Sequence, residues 1–295
     1  MGMKRSLIWT FVIIVSVMVG MAAFIAIVFH FVADRPLVTG DRVGVVEVKG
    51  FISDATRVVE GLKKFQKDPQ VKAVVVRVAS PGGVVAPSQE MHDAIKKLAA
   101  VKPVVASFGP VAASGGYYLS LPATKILASP GSVTGSIGVI LQFSQYTALM
   151  DKLGLRFDAI KSGEFKDTGS PFRDMRPEER ALMQGVVNDI FDQFVSAVSE
   201  GRKMKKERVL ELADGRIYSG RQAVEFGLVD ALGGYEESLE LAGKLGGIEG
   251  EIKTEKWEVR KGALLGLLLG TEADSAIQAV DPLTAPPIRF VLPGW

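Results

Sequence analysis

The chain has 295 residues, 47% of them hydrophobic, with no cysteine and two histidines, and 35 basic against 33 acidic side chains leave a net charge of +2. These counts exclude disulfides, thiolate metal sites, a cysteine nucleophile and a histidine-rich metal centre. A nearly balanced charge gives no electrostatic case for nucleic acid.

From Leu7 to Ala33 there is no Asp, Glu, Lys or Arg. A membrane-spanning helix needs about 20 apolar residues, so residues 7–33 read as a span in contact with lipid. Lys4 and Arg5 precede it and favour an N-terminus on the cytoplasmic side. The run is too long for a cleaved signal peptide, and Phe31 stands where a cut after Ala33 would want a small residue. Residues 1–40 are therefore expected to be an uncleaved anchor and linker, 41–250 a folded domain beyond the membrane, and 251–295 a C-terminal extension.

Arg42–Lys49 is Val-rich and reads as a strand. Ser53 is placed to cap a helix carrying Val58, Val59, Leu62 and Phe65. Val71–Ala79 is an almost continuous β-branched run, as suits a parallel strand buried on both faces. It ends in Ser80-Pro81-Gly82-Gly83, and Pro87 starts a helix with Met91, Ile95 and Leu98 on one face. Pro103–Phe108 is the next strand, Ser114–Leu121 a short helix, Lys125–Ala128 another strand and Ser129–Gly138 a turn region. Arg156–Ile160 reads as a strand, and Pro177 begins a long helix to about Glu200. Ile252–Val259 reads as a strand, Ala263–Leu269 is Leu-rich, and the prolines of 281–295 predict an extended tail. Strands alternating with helices at these intervals predict an α/β fold of repeated β-α units. The basic run Arg202–Arg208 reads as a solvated helix face.

Gly109–Leu121 (GPVAASGGYYLSL) is the most chemically suggestive stretch. Ser114 follows an apolar strand and stands at the start of a helix. There it could cap that helix, or act as a nucleophile with the Gly115 N–H facing a developing oxyanion. Tyr117, Tyr118 and Leu121 share its helical face and could wall a pocket. A serine nucleophile needs a base. No histidine follows Ser114, which removes the α/β-hydrolase order of serine, acid and histidine. His92 adjoins Asp93 on a helix, where neighbours point apart. A lysine base remains, which must be neutral to accept a proton. Lys161, Lys166, Lys125 and Lys152 are all candidates, and the residues alone do not choose among them. Gly83 could supply a second oxyanion N–H or simply form a strand-to-helix turn.

Five motifs stand in order along the chain: SPGG at 80–83, AASGGYY at 112–118, GSVTGSIGV at 131–139, SGEFKDTGSPFRDM at 162–175 and GRIYSGRQAVEFGLVD at 215–230. Over about residues 42–245 the chain resembles the short form of the signal peptide peptidase A family, serine–lysine enzymes of the Clp protease and crotonase superfamily. The resemblance implies Ser114 as nucleophile, Lys166 as general base, Ser136 as the serine that orients the lysine amine, and Gly83 and Gly115 as the oxyanion hole. It also implies a ring-shaped homo-oligomer, with the dyad either within one chain or brought together from neighbouring subunits, and no metal or other cofactor. The implied substrates are cleaved signal peptides left in the cytoplasmic membrane, cut on its outer side. The rival readings are a crotonase-like acyl-CoA enzyme and a non-catalytic membrane-tethered scaffold.

Overall fold

The computed structural model describes residues 9, 13–25, 40–257 and 288–291. The chain divides into two compact units, Met1–Gly40 and Asp41–Trp295. In the first, residues 13–25 form helix α1, with Ile14 and Phe24 among its exposed apolar side chains. Trp9 is also described and exposed, and the remaining residues of the expected span lie outside the described residues. Among the described residues no helix is long and apolar enough to cross a membrane.

The second unit runs β1 (Arg42–Lys49), α2 (Thr56–Lys67), β2 (Val71–Ser80), β3 (Gly82–Val84), α3 (Val85–Ala99), β4 (Val104–Ala113), α4 (Gly115–Ser120) and β5 (Lys125–Ala128). There follow β6 (Val133–Gly135), β7 (Ile140–Leu141), α5 (Thr147–Leu153), α6 (Pro177–Arg202), α7 (Lys206–Leu212), β8 (Ile217–Ser219) and α8 (Gly220–Glu225). β9 (Ala231–Leu232), α9 (Tyr235–Leu245), β10 (Thr254–Lys256) and β11 (Ile288–Val291) complete it. The main sheet has the order β10-β1-β2-β4-β5-β9, with β6 on the far end of β4 and β8 beside β6. Every pairing is parallel except β6 with β8. The fold is thus mixed α/β with a mostly parallel sheet, as the alternation of elements predicts.

Period-two alternation along the central strands builds two cores. Val43, Val45, Ala73, Val75 and Val105 face α9, meeting Leu239 and Ala242. Val46, Val48, Val74, Val76, Val78, Val104, Ala106 and Phe108 face the other way, into the core that holds Leu62, Phe65, Met91, Ile95 and Leu98 of α2 and α3. Both faces are covered, which is why β2 reads as an unbroken β-branched run. Arg42 ties the sheet edge together: it donates to Asp68 at 2.8 Å, Gln70 at 2.5 Å and Glu255 at 2.7 Å.

Several local expectations need correction. Ser53 does not cap α2; instead Asp54 accepts from the Thr56 N–H at 2.9 Å and its hydroxyl at 3.0 Å. Arg156–Ile160 is irregular and exposed, not a strand. A strand needs a neighbour for its backbone groups, and this run offers its side chains elsewhere: Phe157 stacks on Phe172 with ring centroids 4.0 Å apart. The region Ser129–Gly138 contains β6, and the Pro-rich end contains β11. The strand expected at 252–259 is the shorter β10, with Val259 and the Leu-rich 263–269 outside the described residues. His92 and Asp93 do meet, Nδ1 to Oδ1 at 3.1 Å, and the imidazole lies on Tyr118 with centroids 5.0 Å apart. Burial pushes the His92 pKa down. Three basic side chains of the run 202–208 meet acids: Arg202 reaches Asp230 at 3.0 Å, Lys206 reaches Asp192 at 3.5 Å and Arg208 reaches Glu211 at 2.5 Å.

Candidate active site

Strand β4 ends at Ala113 and helix α4 begins at Gly115, so Ser114 alone makes the turn between them. It does so at φ +52° and ψ −114°. A residue with a β-carbon pays strain of order 1–3 kcal/mol at such a backbone. Two bonds hold it there. The Ser114 N–H donates to Gly135 O at 2.8 Å, and its carbonyl accepts from the Tyr118 N–H at 2.8 Å. The side chain makes no cap hydrogen bond. Its Oγ is buried and has no partner among the described residues. An unpaired buried hydroxyl costs about 1–3 kcal/mol. Strain and an idle hydroxyl fall on one residue, which rules out helix capping as the reason a serine stands here. A strained strand-to-helix turn is also how α/β-hydrolases project their nucleophile.

Two backbone segments converge on this turn. β3 crosses the chain at Ile52: the Ile52 N–H donates to Gly82 O at 2.9 Å and the Val84 N–H donates to Ile52 O at 2.7 Å. A β-carbon on Gly83 would fall 2.1 Å from Ile52 O, so only glycine fits. A β-carbon on Gly115 would fall 2.6 Å from Ser88 Oγ and 3.2 Å from the Gly83 nitrogen. The amides of Gly83 and Gly115 are therefore neighbours beside Ser114. Ser136 follows Gly135, the acceptor of the Ser114 N–H. It is nearly fully buried at φ +51°, with its N–H donating to Arg216 O at 2.8 Å. The structure thus gathers Ser114, Gly83, Gly115 and Ser136.

No hydrogen bond joins Lys166 to them among the described residues. It lies on the loop between α5 and α6, exposed, its N–H donating to Gly163 O at 3.2 Å. Its amine has no hydrogen bond or ion pair among the described residues. Two rival lysines are occupied. Lys161 donates to Asp167 at 2.5 Å and to Glu164 O at 3.2 Å, and Lys125 donates to Asp230 at 3.3 Å. Both amines are thus engaged with carboxylates.

Residues 96–249, just over half of the chain, match the model of peptidase family S49. A Synechocystis protein named "Putative protease" is 43% identical over 72% of this chain and 76% of its own length. An Enterococcus faecium protein named "Putative signal peptide peptidase SppA" is 44% identical over 61% of this chain and 52% of its own. The "Serine protease SPPA, chloroplastic" of Arabidopsis thaliana is 33% identical over 68% and 30%. The chain belongs to peptidase family S49. It is a serine peptidase, and the acyl-CoA and scaffold readings fall away.

The motifs of this S49 peptidase have physical tasks. In SPGG, the Ser80 hydroxyl donates to Gly50 O at 2.6 Å and accepts from the Gly82 N–H at 3.1 Å, fixing the approach to Gly83. In GSVTGSIGV, Ser132 donates to Gly109 O and Thr134 to Ala112 O, each at 2.7 Å, pinning β6 to β4, the strand that leads into Ser114. In GRIYSGRQ, Arg216 receives the Ser136 N–H, and Ser219 and Gln222 form a capping box for α8. SGEFKDTGSPFRDM builds a charged network around Lys166 that centres on Glu179. Composition places Glu179 only as a helix-start acid; its burial could not be read from the sequence.

One expectation fails. Tyr117, Tyr118 and Leu121 do not wall a pocket; they are core. Tyr117 donates its hydroxyl to Leu228 O at 2.8 Å, and burial pushes the phenol pKa up. Tyr118 packs edge-on against Phe194 with centroids 5.1 Å apart. A helix buried on all sides has no free face to offer a substrate. Tyr117→Phe is therefore expected to cost about 1–3 kcal/mol in a denaturant melt, by stranding the Leu228 carbonyl, while kcat and KM stay at the parent values.

Open space lies instead on either side of β7. A cavity of about 390 Å³ touches Ser136, Val139, Ile140, Val187 and Phe191. Another of about 510 Å³ is lined in part by Leu141, Phe143, Met175, Met183 and Val187. Between β3 and β7 the backbone of β11 runs antiparallel to both, pairing Phe290 with Gly83 and Ile288 with Leu141. The edges of β3 and β7 therefore accept an extended strand between them, the place that β11 occupies.

Proposed function

We propose that this S49 serine peptidase cleaves signal peptides in the cytoplasmic membrane with a Ser114–Lys166 dyad, on the repeated β-α frame of the Clp protease and crotonase superfamily. The observation that carries the chemistry is Ser114 itself: a strained turn residue with an idle buried hydroxyl beside the Gly83 and Gly115 amides. Neutral Lys166 takes the hydroxyl proton as Oγ bonds to the peptide carbonyl carbon. The carbonyl π electrons move to oxygen, where the Gly83 and Gly115 N–H groups stabilise them. The tetrahedral species collapses, the C–N bond breaks, and the lysine ammonium protonates the departing amine. Water, deprotonated by the same amine, then releases the acyl group from Ser114. Ser136 orients the lysine nitrogen.

The exposed Lys166 and the buried Ser114 hydroxyl without a partner support a ring of copies in which one chain's lysine completes its neighbour's site. The segment that would dock carries exposed Leu149, Leu153, Leu155, Phe157, Ile160 and Phe165, and α5 within it buries none of its residues. Apolar patches of this kind mark interaction surfaces. Peptide enters as a strand against β3 and β7, by backbone pairing of the sort that β11 makes. The flanking cavities take apolar side chains such as signal peptides carry. Residues 7–33 anchor the enzyme beside such substrates, with the N-terminus inside and the peptidase unit outside.

The test is mass spectrometry of membrane peptides from cells bearing the parent chain or Ser114→Ala. Released signal peptides are expected to accumulate several-fold in the variant, with the protein sedimenting with membranes after a carbonate wash. Identical peptide populations would refute the substrate, and a carbonate-soluble full chain would refute the anchor.

A further inference from the structure

Glu179 is fully buried, although it stands in the first turn of a helix that is otherwise largely exposed. Its carboxylate accepts from Arg173 Nη1 at 2.8 Å and Nη2 at 2.6 Å, from Arg176 Nη2 at 3.0 Å, from the Arg176 N–H at 3.0 Å and from the Thr168 hydroxyl at 3.3 Å. These donors hold its pKa far below the usual carboxylate range, with the Arg173 bond the largest cause. The two arginines then reach back along the loop to either side of Lys166. Arg173 donates Nε to the Asp167 carboxylate at 3.0 Å and Nη2 to the Asp167 carbonyl at 3.2 Å. Arg176 donates to the Glu164 carboxylate at 2.7 Å and the Glu164 carbonyl at 3.0 Å, and its guanidinium lies 5.8 Å from the Phe165 ring centroid. Lys161 closes the ring of charges by donating to Asp167 at 2.5 Å.

Two arms thus leave one buried carboxylate and grip the backbone two residues before and one residue after Lys166. Lys166 itself touches none of these groups. A loop of exposed residues would otherwise have nothing to fix where its amine points, and a general base misplaced by about 1 Å can cost about 10²-fold in rate.

We infer that Glu179 is a positioning residue for the peptidase reaction, holding the Lys166 amine in its productive place through Arg173–Asp167 on one side and Arg176–Glu164 on the other. The inference rests on Lys166 being the base. Glu179 never meets substrate; it removes the freedom of the loop. Other charged groups at the loop's base, Asp174 and Arg180, line the cavity beside it and make no contact with the carboxylate.

The experiment compares the full-length parent chain, Glu179→Gln, Arg176→Gln and Lys166→Ala on one peptide substrate. Steady-state kinetics are taken across neutral to alkaline pH, with a thermal melt of each protein. Glu179→Gln is expected to lower kcat by about 10²-fold with KM within about twofold, and to move the midpoint of the pH–rate rise to higher pH, since within the site assembled from two copies a loosely seated amine meets more water. Arg176→Gln, at a half-exposed site, is expected to show the same two changes at smaller size. A folded Glu179→Gln with parental kcat would overturn the inference. So would a uniform fall in rate with an unmoved midpoint, because lost stability alone lowers amplitude at every pH. Should Glu179→Gln fail to fold, the midpoint of Arg176→Gln decides by the same criterion. Parental activity in Lys166→Ala would instead strike the assignment of the base, and the positioning role with it.

Discussion

Ser114→Ala is expected to lower peptide hydrolysis by about 10³-fold or more while leaving the fold as stable as the parent, or more so. Both halves follow from the same geometry. The reacting oxygen is lost outright, and no neighbouring hydroxyl stands on the turn to replace it. The oxygen also has no partner among the described residues, so its removal leaves no acceptor or donor stranded. A methyl in its place is relieved of a buried polar atom, worth about 1–3 kcal/mol. The backbone strain is unaltered, because alanine and serine both carry a β-carbon at φ +52°. Ser114→Gly isolates that second contribution: it should be inactive too, and more stable than Ser114→Ala by a further amount of order 1–3 kcal/mol. Denaturant melts and a peptide assay check both. An alanine variant several kcal/mol less stable than the parent would mean that the hydroxyl is a structural group after all.

Lys166→Ala is expected to cost about 10²–10⁴-fold, the usual worth of a general base. Lys166→Arg should be equally impaired, because a guanidinium keeps the charge and cannot give up its proton. In the parent, activity should rise with pH, since the amine must be neutral to act, and fall away on the acid side as it protonates. An acid-side plateau would argue against an amine base. The pairing between chains has its own signature. Mixing Ser114→Ala with Lys166→Ala chains should recover activity that neither has alone, because some interfaces then join an intact serine to an intact lysine. A mixture as inactive as its parts would place both groups in one chain.

Much of the frame was legible from residue patterns. The β2 run announced a strand buried on both faces, and Lys125–Ala128 became β5 with those bounds. The stripe Met91, Ile95 and Leu98 is the buried face of α3. What escaped was decided by tertiary partners. Nothing in Arg156–Ile160 says that Phe157 will prefer a ring at position 172 to a sheet. Nothing in the GGYYL run says that α4 will be enclosed on every side, so tyrosines that look like pocket walls became core. At the site, a serine before two glycines was readable, but its idle hydroxyl and its backbone strain were not. Both belong to the crossing of β3, β4 and β6. Choosing among the lysines needed the family resemblance; Lys161 and Lys125 are in ion pairs, while Lys152 and Lys166 both lack one among the described residues. Glu179 was visible as a first-turn acid, but its role depends on where two arginines fold back.

The single chain carries its alcohol ready-strained and not bonded to any amine among the described residues. On a shared-dyad reading, dilution is an off switch. A newly made copy, standing alone, would have only half of the reacting pair and would spare bystander proteins. Hydrolysis would begin where copies crowd together, and would climb more steeply than the amount of enzyme.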